Sequence, residues 1–182
     1  PAGDPVGAPI APPVGDPVGA PVDAPVGAPV STLPTFAPTS NYSWKSIQNV
    51  GTGRLIGHNS PTNLITYDYN SSYNGGTPAF NIVNNTINLS ANNDVSAIAK
   101  AQWDKYKLIK RTSDNLCFYS NSRLSGFYDC SYGDDPHVFI DTGNNAYLIQ
   151  NTNDSCLKDN GSGALTVSQC NPADNLQKWR VV

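Results

Sequence analysis

The sequence predicts an all-β domain that follows an extended, proline-rich arm. From residue 41 onward, short apolar runs alternate with clusters of Asn, Gly, Ser and Asp, and no helical period of apolar residues persists. One unit of sequence also recurs three times in this part of the chain, whereas proline recurs every fourth residue before it. We therefore divide the chain into an arm, residues 1–40, and a β domain, residues 41–182.

The arm is a tetrapeptide repeat in which an aliphatic residue follows each proline. Each proline fixes its own φ and keeps its predecessor out of the helical region, so extended or polyproline-II chain is expected. The Ala-Pro and Asp-Pro steps resemble those of hydroxyproline-rich extracellular glycoproteins, whose prolines are hydroxylated and glycosylated. The repeat consists of Pro5, Val6, Pro9, Ile10, Pro13, Val14, Pro17, Val18, Pro21, Val22, Pro25, Val26, Pro29 and Val30.

The side chains of the arm suit packing against another subunit. In an extended chain every Val and Ile of the repeat lies on one face, and no Lys or Arg occurs before Lys45. We expect this apolar row to lie in a groove of a neighbouring copy, so that the chain self-associates into a homopolymer such as a filament or coat. The alternative is a semi-rigid spacer that only tethers the domain.

Charge and composition exclude several classes of function. The net charge of −3 comes from three Asp of the arm, because acidic and basic residues balance in residues 41–182. A nucleic-acid-binding protein would show clustered Lys and Arg, and no apolar run is long enough to cross a membrane. Glu is absent and only His58 and His137 supply imidazole, which leaves few candidates for acid–base catalysis or metal binding. We predict a non-enzymatic protein without a cofactor or metal.

Cysteines and glycosylation sequons both indicate an extracellular protein. The four cysteines, Cys117, Cys130, Cys156 and Cys170, lack the spacing of a zinc site and favour two disulfides, with all three pairings open. The chain begins at Pro1, from which we expect a processed product that is secreted or displayed at the cell surface. Six Asn-x-Ser/Thr sequons are candidates for N-glycosylation: Asn41, Asn70, Asn84, Asn88, Asn153 and Asn160.

The three repeat units of the β domain each begin with a strand that contains an isoleucine, namely Ile47, Ile109 or Ile149. A second and a third short strand follow in each unit. The spacing between the isoleucines is 62 residues and then 40, so the first unit carries extra residues. We place this insertion in the polar, Asn-rich stretch around 70–97 and expect a surface excursion with a hairpin there.

The last unit resembles a repeat of the ricin-B-type β-trefoil lectins. Cys156-Leu157, Cys170 and Gln177-Lys178-Trp179 match the Cys-Leu start, the second cysteine and the closing Gln-x-Trp of that family. The resemblance implies an all-β trefoil of three units, in which Trp179 lies in the core and Gln177 bonds to the backbone of a turn. On this alignment we expect each disulfide to lie within one unit, Cys117 with Cys130 and Cys156 with Cys170.

The other two units keep less of the closing motif. Gln102-Trp103 resembles a contracted version of it that would close the first unit. The second unit ends instead in His137-Val-Phe-Ile140, which departs from the motif.

The resemblance also implies sugar pockets, although no unit keeps a full set of pocket residues. The family uses an Asp two residues after the first cysteine, an aromatic residue near the second, and an Asn before the Gln of Gln-x-Trp. The second unit has Tyr128 at the stacking position but Tyr119 at the acidic one. We take as candidate sugar contacts Tyr67 and Tyr128, for stacking, together with Asp159 and Asn175, which are each displaced by one residue.

One string resembles a catalytic loop. Val138-Phe-Ile-Asp141-Thr142-Gly143 is similar to the active-site loop of aspartic proteases, whose chemistry requires two carboxylates that share a proton. No second Asp-Thr/Ser-Gly occurs in the chain, so we interpret the string as a turn between two units.

Two hypotheses of different class follow from the sequence. The first is a non-enzymatic extracellular glycoprotein whose arm packs on neighbouring β-trefoil heads to build a filament or surface coat. The second is a carbohydrate-binding lectin module for which the arm is only a tether.

Overall fold

The structure, a computed structural model, describes residues 41–60, 63–67, 79–88, 95–121, 125–131 and 136–182. The proline-rich arm, Asn70 and the side chain of Tyr67 lie outside the described residues, and the predictions made for them stay predictions. Within the described ranges the chain is all-β and forms a β-trefoil, which confirms the predicted fold class.

Each repeat unit contributes four short strands, and one further strand, β1 (Tyr42–Lys45), comes before them. The first unit has β2 (Ile47–Asn49), β3 (Leu55–Ser60), β4 (Asn63–Tyr67) and β5 (Phe80–Asn84). The second has β6 (Lys107–Arg111), β7 (Cys117–Ser120), β8 (Ser125–Tyr128) and β9 (Pro136–Asp141). The third has β10 (Tyr147–Asn151), β11 (Ser155–Asp159), β12 (Leu165–Gln169) and β13 (Lys178–Val181).

The first and fourth strands of the units form an antiparallel barrel. The strand order is β1-β5-β6-β9-β10-β13-β2, and β1 continues into β2 through Ser46, so the sheet closes on itself. Closure removes the exposed edges through which open sheets associate. The second and third strands of each unit pair as hairpins, β3–β4, β7–β8 and β11–β12, that extend from the barrel.

Apolar side chains from all three units meet in one core. The repeat isoleucines Ile47, Ile109 and Ile149 are at most 1 % exposed and lie in the same cluster as Trp179. The Nε1 of Trp179 donates to the backbone oxygen of Leu157 at 3.0 Å. Burial of one such aliphatic side chain contributes about 1.5–3 kcal/mol. The periodic isoleucines therefore mark equivalent positions of the core.

The turn between the first and second strands of each unit requires a residue with positive φ. The residues are Gly53 at 73°, Asn115 at 61° and Asp154 at 60°. Gly, Asn and Asp adopt this left-handed conformation more readily than other residues do. The turn of the second unit therefore explains why an asparagine, Asn115, stands at that position.

Buried asparagines hold the same turns in the first and third units. The Oδ1 of Asn49 accepts from the backbone N–H groups of Gly51 and Thr52, and the Oδ1 of Asn151 accepts from those of Asn153 and Ser155. The two Nδ2 groups donate to backbone oxygens of the preceding unit in the barrel, which joins neighbouring units.

In the second unit, Arg111 takes the place of these asparagines. Its guanidinium pairs with Asp114 in the turn and lies 4.4 Å from the ring centroid of Phe127. The cation is thereby paired with a carboxylate and packed on an aromatic face, which offsets part of the cost of its burial.

Both expected disulfides are present. Cys117 pairs with Cys130 and Cys156 pairs with Cys170, and the Cα atoms are 5.1 and 4.9 Å apart. Each disulfide joins the start of a hairpin to the residues just beyond its end, so it fixes the hairpin of one unit.

The insertion in the first unit differs from the prediction. Phe80 and Ile82 of β5 are at most 1 % exposed, so the range 70–97 contains a core strand and is not only a surface excursion. Extra residues that the structure describes lie between β5 and β6, at 85–88 and 95–106, where residues 142–146 suffice between β9 and β10. The described residues among them include a short helix, α1 (Ala97–Ala101), and a 3-10 turn, Trp103–Lys105.

Gln102-Trp103 does not close the first unit. It follows β5, the last strand of that unit, and Trp103 is 53 % exposed while Trp179 is 1 % exposed. The two tryptophans therefore have different surroundings despite the similar sequence before them. A Gln-Trp pair therefore predicts a buried tryptophan only where the tryptophan belongs to a barrel strand such as β13.

Candidate functional site

The hairpin of the second unit places two tyrosines side by side. Tyr119 of β7 pairs with Gly126 of β8, and Tyr128 follows Gly126 by two residues, so both tyrosines lie on the same face of the hairpin. Their ring centroids are 5.5 Å apart with an interplanar angle of 73°. Both side chains are half-buried, which leaves part of each ring open to solvent.

An amide group completes this cluster. The Nδ2 of Asn121 donates to the Oη of Tyr119 at 2.5 Å, so the phenol is held at the end of β7. An edge-to-face pair contributes about 0.5–1.5 kcal/mol beyond its buried area, and the nearby Cys117–Cys130 disulfide restricts the hairpin further. We name Tyr119, Asn121 and Tyr128 the tyrosine cluster.

The chemistry of the tyrosine cluster is that of a small polar ligand with an apolar face. Aromatic rings offer flat apolar area at low entropic cost, while the phenol and amide groups can donate and accept hydrogen bonds. A pyranose ring has this same combination of C–H faces and equatorial hydroxyls. The arrangement can therefore stack a sugar and orient it.

The equivalent place in the third unit holds an ion pair. The Nζ of Lys158 lies 2.8 Å from the Oδ2 of Asp174, with the side chains 32 % and 24 % exposed. The hydrogen bond from Lys158, and then the backbone N–H of Leu176, hold the pKa of Asp174 below its ordinary value. Where the lectin family has an Asp near the start of the hairpin, this chain has Lys158, whose side chain carries the opposite charge.

Asp159 is buried and links the third unit to the first through a hydrogen bond. The residue is 0 % exposed, its Oδ2 accepts from the Thr52 hydroxyl at 2.7 Å, and its Oδ1 accepts from the backbone N–H of Gly161 at 2.8 Å. The side chain therefore ties the hairpin of the third unit to the first turn of the first unit. Both carboxylate oxygens already have partners within the protein.

Asn175 lies on the surface beside the closing motif. It opens the 3-10 turn Asn175–Gln177, its side chain is exposed, and its backbone oxygen accepts from Gly51. Gln177 points inward, where its Nε2 donates to the backbone oxygen of Gln169 at 2.9 Å and its Oε1 accepts from the N–H of Asn171 at 2.7 Å. The Gln177 side chain therefore forms hydrogen bonds with backbone groups, while the Asn175 side chain is exposed to solvent.

The four predicted sugar contacts lie on three different units, and the structure places Tyr128 beside Tyr119, which is bonded to Asn121. Sequence reasoning missed Asn121, since no family position predicts an amide there. The Lys158–Asp174 pair could have been predicted from the sequence. A Lys at a position where the family has an Asp suggests that an acidic side chain lies near it.

The string that resembles a protease loop forms a turn. Asp141 is exposed and its Oδ1 accepts from the N–H of Gly143, which has φ of 83°.

A buried pair, the Ser120 hydroxyl and the His137 Nε2 at 2.7 Å, lies inside the second unit, with both residues at most 1 % exposed. Burial makes that pair part of the packing between β7 and β9.

The described ranges contain neither a metal-binding cluster nor a membrane-spanning helix. No three His, Cys, Asp or Glu side chains come together there as a metal site would require. Of the helices in those ranges, none has the length and apolar character needed to span a bilayer.

Comparison with solved structures supports the fold. The designed three-fold symmetric protein ThreeFoil is 17 % identical with a TM-score of 0.55, and covers 76 % of this chain and 97 % of its own. SeviL, solved bound to the asialo-GM1 saccharide, is 17 % identical with a TM-score of 0.53 over 77 % and 96 % of the two chains. The β-trefoil BEL is 18 % identical with a TM-score of 0.57 over 81 % and 99 %.

These likenesses establish a β-trefoil and, at such identities, nothing finer. No protein-family model matches the chain, and no curated protein matches it either.

Proposed function

We propose that the chain is an extracellular carbohydrate-binding module of the lectin type, and that Tyr128 is its ring-stacking residue. The observation that carries the proposal is the tyrosine cluster, whose half-buried edge-to-face rings lie next to an amide on the hairpin of the second unit. SeviL, which has the same fold, is described with a bound saccharide. That likeness supports the ligand class and leaves the individual sugar open.

The second unit is favoured over the third for a physical reason. At the third hairpin, a ligand would have to compete with the Lys158–Asp174 ion pair at 2.8 Å, whereas the tyrosines of the second hairpin present apolar area that water solvates poorly. Asp159 contributes to folding in this account, because its carboxylate is already bonded to Thr52 and Gly161. Tyr67 stays a candidate on the first unit.

The extracellular setting is part of the proposal. Two disulfides are typical of oxidising compartments. The sequon asparagines in the described ranges, Asn41, Asn84, Asn88, Asn153 and Asn160, are all exposed, as attachment of glycans would require.

A glycan array followed by titration calorimetry tests the binding function. We expect the full chain to bind a defined glycan, and Tyr128→Ala to weaken that binding about tenfold or more, since one lost stacking contact is worth roughly 1.4 kcal/mol. Ile98→Ala is the control, because Ile98 is a large exposed apolar residue outside the hairpin. Equal affinity of Tyr128→Ala and the parent chain would contradict the proposal.

Self-association through the arm is a second proposal, and its support is the sequence repeat alone. A tetrapeptide repeat that presents an aliphatic residue at every fourth position of an extended chain is suited to a groove on another copy. In that case multivalent display of the tyrosine cluster would raise the avidity for clustered glycans.

A further inference from the structure

A cleft lies in the insertion of the first unit, in the segment between β5 and β6. It has a volume of about 360 Å³ and is lined by Thr86, Ile87, Asn88 and Trp103. Trp103 is 53 % exposed, an unusual exposure for a side chain that is normally mostly buried. The residues that line the cleft thus include an exposed tryptophan, an asparagine and a threonine.

Local hydrogen bonds fix the wall of the cleft that carries Asn88. The buried side chain of Asn85 donates to the backbone oxygen of Ile87 at 3.0 Å and accepts from its N–H at 2.8 Å. Ile87 also packs on a small apolar cluster with Val95, Ala99 and Tyr106. The backbone that leads into Asn88 is therefore held in place.

The segment that carries Trp103 is also anchored. Ser96 caps α1 by accepting from the N–H of Ala99, and its hydroxyl donates to Asp154 of the third unit at 3.1 Å. The 3-10 turn that begins at Trp103 follows this helix after Gln102. The indole ring is therefore carried by a segment tied to the barrel on both sides.

Asn88 is at the same time the acceptor of a glycosylation sequon and a wall of this cleft. Its side chain is exposed, and the sequence continues Leu89-Ser90, as the sequon requires. Thr86, another lining residue, is the hydroxyl residue of the neighbouring sequon at Asn84. A glycan attached at Asn88 would start inside the cleft.

We propose that Asn88 carries an N-linked glycan and that its first N-acetylhexosamine packs in this cleft against the indole of Trp103. In the attachment step the Nδ2 of Asn88 bonds to C1 of the sugar, supplied by a lipid-pyrophosphate-linked oligosaccharide. The C1–O bond breaks, the lipid pyrophosphate departs with its electron pair, and the amide releases one proton. The cleft itself performs no part of this chemistry and only receives the product.

The physical case rests on proximity and on shape. A sugar ring has an apolar C–H face that matches an indole face, and the cleft is of the size of small-ligand pockets. Covalent attachment at the wall of the cleft makes the contact intramolecular, so a weak stacking interaction is enough to populate it. Burial of part of the exposed Trp103 ring adds a favourable hydrophobic contribution.

The inference rests on the extracellular setting proposed above, and it is independent of sugar binding by the tyrosine cluster. The test uses no added glycan. The proposal for Asn88 can therefore be contradicted while Tyr128 is still found to bind a glycan, and glycan binding at Tyr128 can be contradicted while the proposal for Asn88 holds.

The experiment uses the full chain secreted from a eukaryotic host, with its glycans trimmed enzymatically to the first N-acetylhexosamine. Peptide mapping should find that sugar on Asn88. The variants are Asn88→Gln, Trp103→Ala and the double variant, with Asn153→Gln as the matched control at an exposed sequon far along the sequence.

We expect Asn88→Gln to lower the unfolding midpoint by about 2–4 °C, and to change it by less than about 1 °C once Trp103 is Ala. Trp103 should also be protected from oxidation by N-bromosuccinimide until the sugar is removed. An unmodified Asn88 would overturn the proposal. So would an effect of Asn88→Gln that is equally large in both backgrounds, or oxidation of Trp103 that does not depend on the sugar.

Discussion

Asp159 shows at the scale of one residue how a ligand contact predicted from its sequence position is instead a buried link between two units. Its carboxylate is buried and links the third unit to Thr52 of the first. We predict that Asp159→Ala lowers the free energy of unfolding by about 1–3 kcal/mol, because the Thr52 hydroxyl and the Gly161 N–H lose their acceptor. Urea unfolding measures this change.

The same variant separates folding from binding. At a temperature where Asp159→Ala is fully folded, its affinity for a glycan ligand should equal that of the parent chain. A loss of affinity without a loss of stability would show that Asp159 contacts the sugar.

The Lys158–Asp174 pair gives stability a dependence on pH. The pKa of Asp174 lies below its ordinary value of 3.8 in the folded chain, mainly because Lys158 donates to it. The unfolded state therefore binds the proton more readily, so the contribution is present above pH 3.8 and is lost as pH falls through the lower folded pKa. Because both groups are partly exposed, we expect less than ~1 kcal/mol.

Asp174→Asn tests this pH dependence, since the amide oxygen can still accept from the Leu176 N–H. The stability difference between the parent chain and the variant should be present at pH 7 and shrink towards zero at pH 2. A difference that stays constant over this range would rule out an ionic origin.

Sequence reasoning at single positions succeeded where a residue has one packing role. Trp179 and Gln177 occupy the core and the turn that the resemblance implies. It failed for Gln102-Trp103, since the pair looks alike in sequence but is not followed by a strand of the barrel. Local sequence does not report the register of a strand, and the register is what buries Trp179 opposite Asn49.

At the scale of elements, the disulfides stabilise one hairpin each. We predict that Cys156→Ala/Cys170→Ala, which opens a loop with a sequence separation of 14, costs about 3 kcal/mol in the loop-entropy model. Cys117→Ala/Cys130→Ala should cost a similar amount, since its separation is 13. Denaturant unfolding of both double variants checks this.

Glycan binding distinguishes the two disulfide variants. Loss of Cys117–Cys130 should also weaken binding, because that disulfide borders the tyrosine cluster, whereas loss of Cys156–Cys170 should leave the affinity unchanged. The opposite pattern would place the binding site on the third unit.

The strands of the second and third units follow from sequence because apolar residues, cysteines and turn residues agree there. β5 was harder to identify because its core residues Phe80 and Ile82 alternate with Asn81 and precede a run of Asn. Alternation over five residues was present, but the surrounding polar composition favoured a surface excursion. The pairing of β5 with β6 settles its place in the barrel.

At the scale of the whole molecule, the role of the arm is still a prediction. We expect the full chain to self-associate, and a chain that lacks residues 1–38 to remain folded and monomeric, because the described barrel and both disulfides lie after residue 40. Sedimentation velocity compares the two chains. Equal self-association of both would identify the arm as a spacer.

The central claim is that the second unit of this β-trefoil binds carbohydrate through the tyrosine cluster. The most direct measurement is a heteronuclear NMR titration of the full chain with the glycan found on the array. The account predicts that the largest shift changes fall on residues 117–128, with ring protons of Tyr119 and Tyr128 in contact with the sugar. Shift changes confined to the hairpins of the first or third unit, or no saturable change at all, would contradict it.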